Sequence, residues 1–222
     1  MAEITAPGSG EAATRATEEA AFYHEAALNA AWTGSRLALG GLSFLYGSFV
    51  FAYFYLQSAN GHSLWLPKSN ALPQIGYGVA IMVLVVASAV VQTLGLQRIK
   101  AGRKGPWATA ALVALVLGLV AVALQIVQLL NLPFQPGQSG FASVFVGFYP
   151  VALVTWLAAM IWLEILIVRA RRIPAISFVE QPPTYAQTFE VQRFQSALSA
   201  FTLVWNYLAI VAFIFWLFFY VR

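Results

Sequence analysis

Residues 131–140 read "NLPFQPGQSG", and how this stretch is taken decides the fold. It lies in the middle of a long apolar run in which no residue between Lys104 and Glu164 is charged. Taken as one helix, that run would be far too long for a bilayer, whose core of about 30 Å needs only about 20 residues. The stretch holds Pro133, Pro136, Gly137, Gly140 and Asn131. Two prolines remove backbone donors and clash with the preceding turn, so a helix cannot continue through them. The run therefore divides into two spans.

The same reading extends outward to five segments. Spans are expected over about 37–56, 75–96, 107–130, 141–168 and 197–221, each apolar and long enough to cross a membrane. Composition agrees. Hydrophobic residues make up 60% of the 222, and charged residues only 9%, where a soluble domain carries roughly a quarter. The expected fold is an all-α polytopic membrane bundle of five transmembrane helices, with a partly helical segment at 1–34 ahead of a transmembrane domain at 35–222. That first segment, rich in alanine with scattered glutamate, favours a helix on propensity. It would lie on a partner or on the bilayer surface, in the cytoplasm.

Charge sets the orientation. Arg15 and Arg36 precede the first span, Arg98, Lys100, Arg103 and Lys104 follow the second, and Arg169, Arg171, Arg172 and Arg193 follow the fourth. Only Lys68 and Arg222 fall on the other side. The positive-inside rule then puts the N-terminus in the cytoplasm and the C-terminus outside. These cations punctuate apolar runs and do not gather on one soluble face, so the formal charge of +4 is no nucleic-acid footprint. The polar, acidic N-terminus lacks a signal-peptide pattern, and the first span is expected to direct insertion. No internal repeat is visible, which counts against inverted-repeat transporters. The linker "IPAISFVEQPPTYAQTFEVQ", with three prolines, is expected to cross the cytoplasmic face partly extended.

Chemistry within the spans is sparse. There is no cysteine and no aspartate, which removes thiolate metal sites and cysteine nucleophiles from this chain. The two histidines, His24 and His62, fall on opposite sides of the expected membrane, so they cannot share a metal within one chain. Glu164 is the one acid inside a span, about five residues from the cytoplasmic end; it reads as an interfacial or intersubunit group, or as the mouth of a proton route. Gln125 and Gln128 share a helix face and suit interhelical hydrogen bonds. Gly40, Gly41, Ser43, Gly47 and Ser48 place small residues along the first span, a face that should pack closely against another helix. Trp32, Trp65, Trp107 and Tyr220 stand near span ends, where aromatic belts form.

Read in order, the segments resemble subunit III of haem–copper oxidases, in its shorter five-span bacterial form. The first span ends "FVFAYFYLQS" (49–58), similar to the family's "LFAAYFYL". "LWLPKSNALP" (64–73), "VLVVASAVVQ" (83–92) and "LGLVAVALQIVQLL" (117–130) follow in the family's order, then an ending "RARR" (169–172) and a last span "LVWNYLAIVAFIFWLFFYV" (203–221). The resemblance covers nearly the whole chain beyond residue 37. It implies a non-catalytic subunit that supports oxidase subunits I and II, binds membrane phospholipids and aids proton uptake. No cofactor is implied in this chain, and haem and copper would reside in the partners. Localisation would be the bacterial or archaeal plasma membrane. The departures run one way. Ser43 lies near the family's first-span glutamate, Gln128 stands for a glutamate, Tyr149 and Ala152 fall at the "HxxH" positions, and Asn206 and Ala209 replace His and Asp. Two other readings stay open, a structural subunit of another electron-transfer complex and a small transporter. The positions carried forward as lipid or subunit contacts are Ser43, Gly47, Gln125, Gln128, Tyr149, Glu164 and Asn206.

Overall fold

The structure, a computed structural model, describes residues 9–67, 72–178 and 185–221. Lys68, Arg222, the His62 side chain and the middle of the proline-rich linker lie outside the described residues. Among the described residues every regular element is helical: α1 (Ser9–Leu64), α2 (Ile75–Lys100), α3 (Lys104–Leu130), α4 (Gly140–Arg172), a short 3-10 turn (Ala175–Phe178) and α5 (Tyr185–Tyr220). Five of them are long and apolar enough to cross a membrane, with mean hydropathy from 1.6 to 2.8.

Helix ends follow local chemistry. At "NLPFQPGQSG", α3 stops at Leu130 and α4 starts at Gly140. Ser139 caps α4 by accepting the Ala142 N–H at 3.1 Å. The hairpin between α2 and α3 is tight because Gly102 takes a left-handed φ of 76°, a conformation costly for residues with a Cβ. There the Gly102 N–H reaches Ile99 O and the Arg103 N–H reaches Arg98 O, at 3.0 and 2.9 Å. That paired closure satisfies carbonyls the helix end would otherwise leave free.

Two helices run further than the sequence suggested. The helix foreseen before residue 34 starts at Ser9 and continues without a break into the first span, until Gly61 kinks it at φ 55°. Nothing between residues 9 and 60 breaks a helix, since proline is absent there. Likewise, part of the linker expected to be extended is helical. α5 begins at Tyr185, two residues after Pro183, the last proline of the linker, and its first turns bury Val191, Phe194 and Ala197.

α1 and α5 run parallel in one register. Leu28 O accepts from Ser196 Oγ at 2.7 Å, Ser43 Oγ from Tyr207 OH at 3.0 Å, and Phe218 O from Tyr53 OH at 2.8 Å, with sequence offsets of 164 to 168. His24 packs on Phe189 at 4.4 Å, in the same register. α5 also packs on α2 and α4, while α3 bridges α2 and α4. α5 is thus the central helix, and Ala200, Phe201 and Trp205 on it are fully buried. In a lipid environment such packing rests on dispersion and close approach, because lipid tails offer no apolar drive between helices. Gly95 meets this need in the α2–α3 hairpin: a Cβ there would lie 3.0 Å from that of Ala110.

Candidate functional site

The most concentrated polar feature lies at the end of the bundle where α3 and α5 finish and α4 begins. There Gln128 Nε2 donates to Tyr220 OH, and that hydroxyl lies 2.9 Å from Tyr149 OH. The three groups come from the last turns of α3 and α5 and the first third of α4. Gly78 of α2 makes the arrangement possible, since the Tyr220 ring lies against its Cα. A Cβ at residue 78 would sit inside the van der Waals envelope of that ring.

Beneath Tyr220 a cavity of about 40 Å³ runs toward mid-depth, lined by all five helices. Gln125, Tyr149, Trp216 and Tyr46 border it, with Phe148 and Trp156 among the apolar walls. Gln125 is 6% exposed and its amide has no protein partner among the described residues. The Trp216 Nε1–H is likewise buried and unpaired. At mid-depth Trp156 meets Trp205 edge to face at 4.8 Å, and the Trp205 indole donates to Ser88 Oγ at 3.1 Å. Ser88 in turn donates to Ala114 O at 2.8 Å. Trp156 belongs both to this buried layer and to the cavity wall.

Of the seven positions carried from the sequence, the structure brings three together: Gln125, Gln128 and Tyr149. Interhelical hydrogen bonding, expected of both glutamines, is met by Gln128; Gln125 turns to the cavity. Asn206 instead ties α5 to α2, exchanging hydrogen bonds with Thr93 at 3.0 and 3.2 Å. Ser43 accepts from Tyr207. Glu164 is exposed on α4. Gly47 is exposed too, and no atom of this chain lies within 4 Å of a Cβ built there, nor at Gly40 or Gly41. The three glycines of the first span therefore meet no helix of their own chain, whereas Ser43 beside them reaches α5.

Sequence reasoning missed Trp216, and it placed Tyr220, Trp65 and Trp107 in an interfacial belt, where Tyr220 instead bonds to Gln128 and Tyr149. Trp65 and Trp107 do not face a lipid headgroup layer; they are 7% and 0% exposed, Trp107 against Phe194 and Trp65 against Phe141. An aromatic residue near a span end reads the same whether it faces lipid or a neighbouring helix.

Open surface features lie elsewhere on the bundle. An apolar groove of about 620 Å³ runs between α2 and α5, lined by residues such as Met82, Val86, Ile210 and Phe213 with Thr93 and Asn206 at its polar edge. At the opposite, basic end, Arg169, Arg172, Glu190 and Arg193 rim a depression of about 200 Å³. Among the described residues no three His, Cys, Asp or Glu side chains gather as metal ligands would. No protein-family model and no curated protein matches this chain.

Proposed function

We propose that this chain is a non-catalytic, subunit III-like component of a respiratory haem–copper terminal oxidase in a bacterial or archaeal plasma membrane. The observation that carries the reading is the ordered resemblance of all five spans, in which the family's ionisable positions hold neutral residues. Two of those replacements, Gln128 and Tyr149, bond to the same Tyr220 hydroxyl. A third, Asn206, bonds to Thr93. Neutral hydrogen bonds thus stand where the relatives' charges would, and the scaffold keeps its polar contacts without any buried ion.

On this reading the N-terminus is cytoplasmic and the C-terminus outside, following the cations at the basic end. Subunits I and II would cover faces that this chain leaves open, above all the glycine face of α1. Membrane phospholipids would fill the α2–α5 groove. A transporter fits less well, because the interior cavity, at about 40 Å³, is too small for an organic solute. A structural role in another electron-transfer complex would use the same open faces.

Purification of a tagged chain in mild detergent, followed by mass spectrometry, tests the assignment. The expected partners are a large subunit with the histidine pattern of a haem–copper centre and a smaller copper-binding subunit. Recovery of partners from an unrelated complex would move the chain to the alternative assignment.

A further inference from the structure

We infer that the cavity beneath Tyr220 is a bound-water site, a vestibule with Tyr220 closing it at one end and Trp156 at its inner wall. The inference rests on a membrane-spanning bundle and stands or falls independently of the oxidase assignment.

Size comes first. A cavity needs about 10–15 Å³ of this kind of volume per water, so about 40 Å³ takes roughly two or three molecules. It is too small for a quinone, a lipid chain or an organic solute. Polarity decides the occupant. A cavity lined only by apolar side chains stays dry, whereas a water persists where it gains two to four polar partners. Here the Gln125 amide, 6% exposed, borders the space with no protein partner among the described residues. Trp216 lines it as well, and its indole N–H is buried without a partner among the described residues. Tyr149 and Tyr220, whose hydroxyls pair with each other, line the same space. Buried polar groups left unpaired cost about 1–3 kcal/mol each. Water supplies a donor and an acceptor to Gln125 and an acceptor to Trp216 without any charge entering the bundle.

The seal follows from Gly78 and Tyr220. The ring lies on the glycine, and its hydroxyl is held by Gln128 and Tyr149. Below, the cavity reaches Trp156, whose ring meets Trp205 edge to face at mid-depth.

Water-edited solid-state NMR on the full chain in phospholipid bilayers tests the site, with the Trp205 indole as a dry internal reference because it donates to Ser88. The expected result is early magnetisation transfer from water to the Gln125 side-chain amide and the Trp216 indole, and none to Trp205. Transfer to Gln125 and Trp216 no faster than to Trp205 would overturn the inference, as would xenon binding in the cavity. In Gln125→Leu the Trp216 transfer should fall by about half or more, since the water loses one of its two to four partners. For the seal, the Trp216 indole should exchange with D₂O about tenfold faster in Tyr220→Phe, the factor that corresponds to loss of about 1.4 kcal/mol of closure. Unchanged exchange would remove Tyr220 as the seal.

Discussion

Tyr220 holds three helices together through one hydroxyl, so its removal is the sharpest change available at a single atom. Tyr220→Phe leaves the Gln128 amide and the Tyr149 hydroxyl without their partner. Hydrogen bonds between membrane helices average about 0.6 kcal/mol, and the orphaned groups add to that. The expected loss is about 1–2 kcal/mol in reversible unfolding of the chain in mixed micelles. The two glycines that face opposite circumstances give a paired prediction. Gly78→Ala should displace the Tyr220 ring and lower the thermal midpoint clearly, whereas Gly47→Ala, with open space around it, should leave it unchanged. Equal effects would mean that the Tyr220 ring does not rest on α2. Gln125, Gln128 and Tyr149 were legible in the sequence because polar groups are rare in apolar spans. Their convergence was not, because spacing along one helix says nothing about which neighbour it meets. Tyr220 was legible as a span-end aromatic but its partners were not: at a span end, burial against α2 and exposure to lipid leave the same letter.

Helix boundaries divide along the same line between local and tertiary causes. The break at "NLPFQPGQSG" and the α2–α3 hairpin follow from proline, glycine and capping residues, all local and all readable. Ser139→Ala should remove the cap on α4 and cost about 1 kcal/mol in the same unfolding assay. The early start of α5 was not readable from apolar length, since residues 185–196 include Gln187, Glu190, Gln192 and Arg193. Its first turns are stabilised instead by burying Val191 and Phe194 against the rest of the bundle. The same holds for the continuous α1. Its polar N-terminal half reads as a separate element, yet the Leu28–Ser196 bond lies in the register that α1 and α5 share further along, at Ser43–Tyr207 and Tyr53–Phe218.

At the scale of the molecule, the unequal cover of the helices matters most. α5 is enclosed on three sides, while α1 exposes Phe44 at 84% and Leu37 at 73% along with the glycine face. Lipid can cover such a surface, but a small-residue face gains most from a second helix that approaches closely. Gly47→Leu should leave the stability of the chain within about 0.5 kcal/mol and still reduce recovery of partner subunits. Glu164→Gln, on α4, should reduce recovery less. Equal recovery for both would place the subunit contact elsewhere. The proposed place in a haem–copper oxidase is tested most directly by the reduced-minus-oxidised visible spectrum of the complex purified through this chain. Haem bands are expected in proportion to the chain, carried by a co-purifying large subunit. A complex that retains this chain with its partners and shows no haem would contradict that placement.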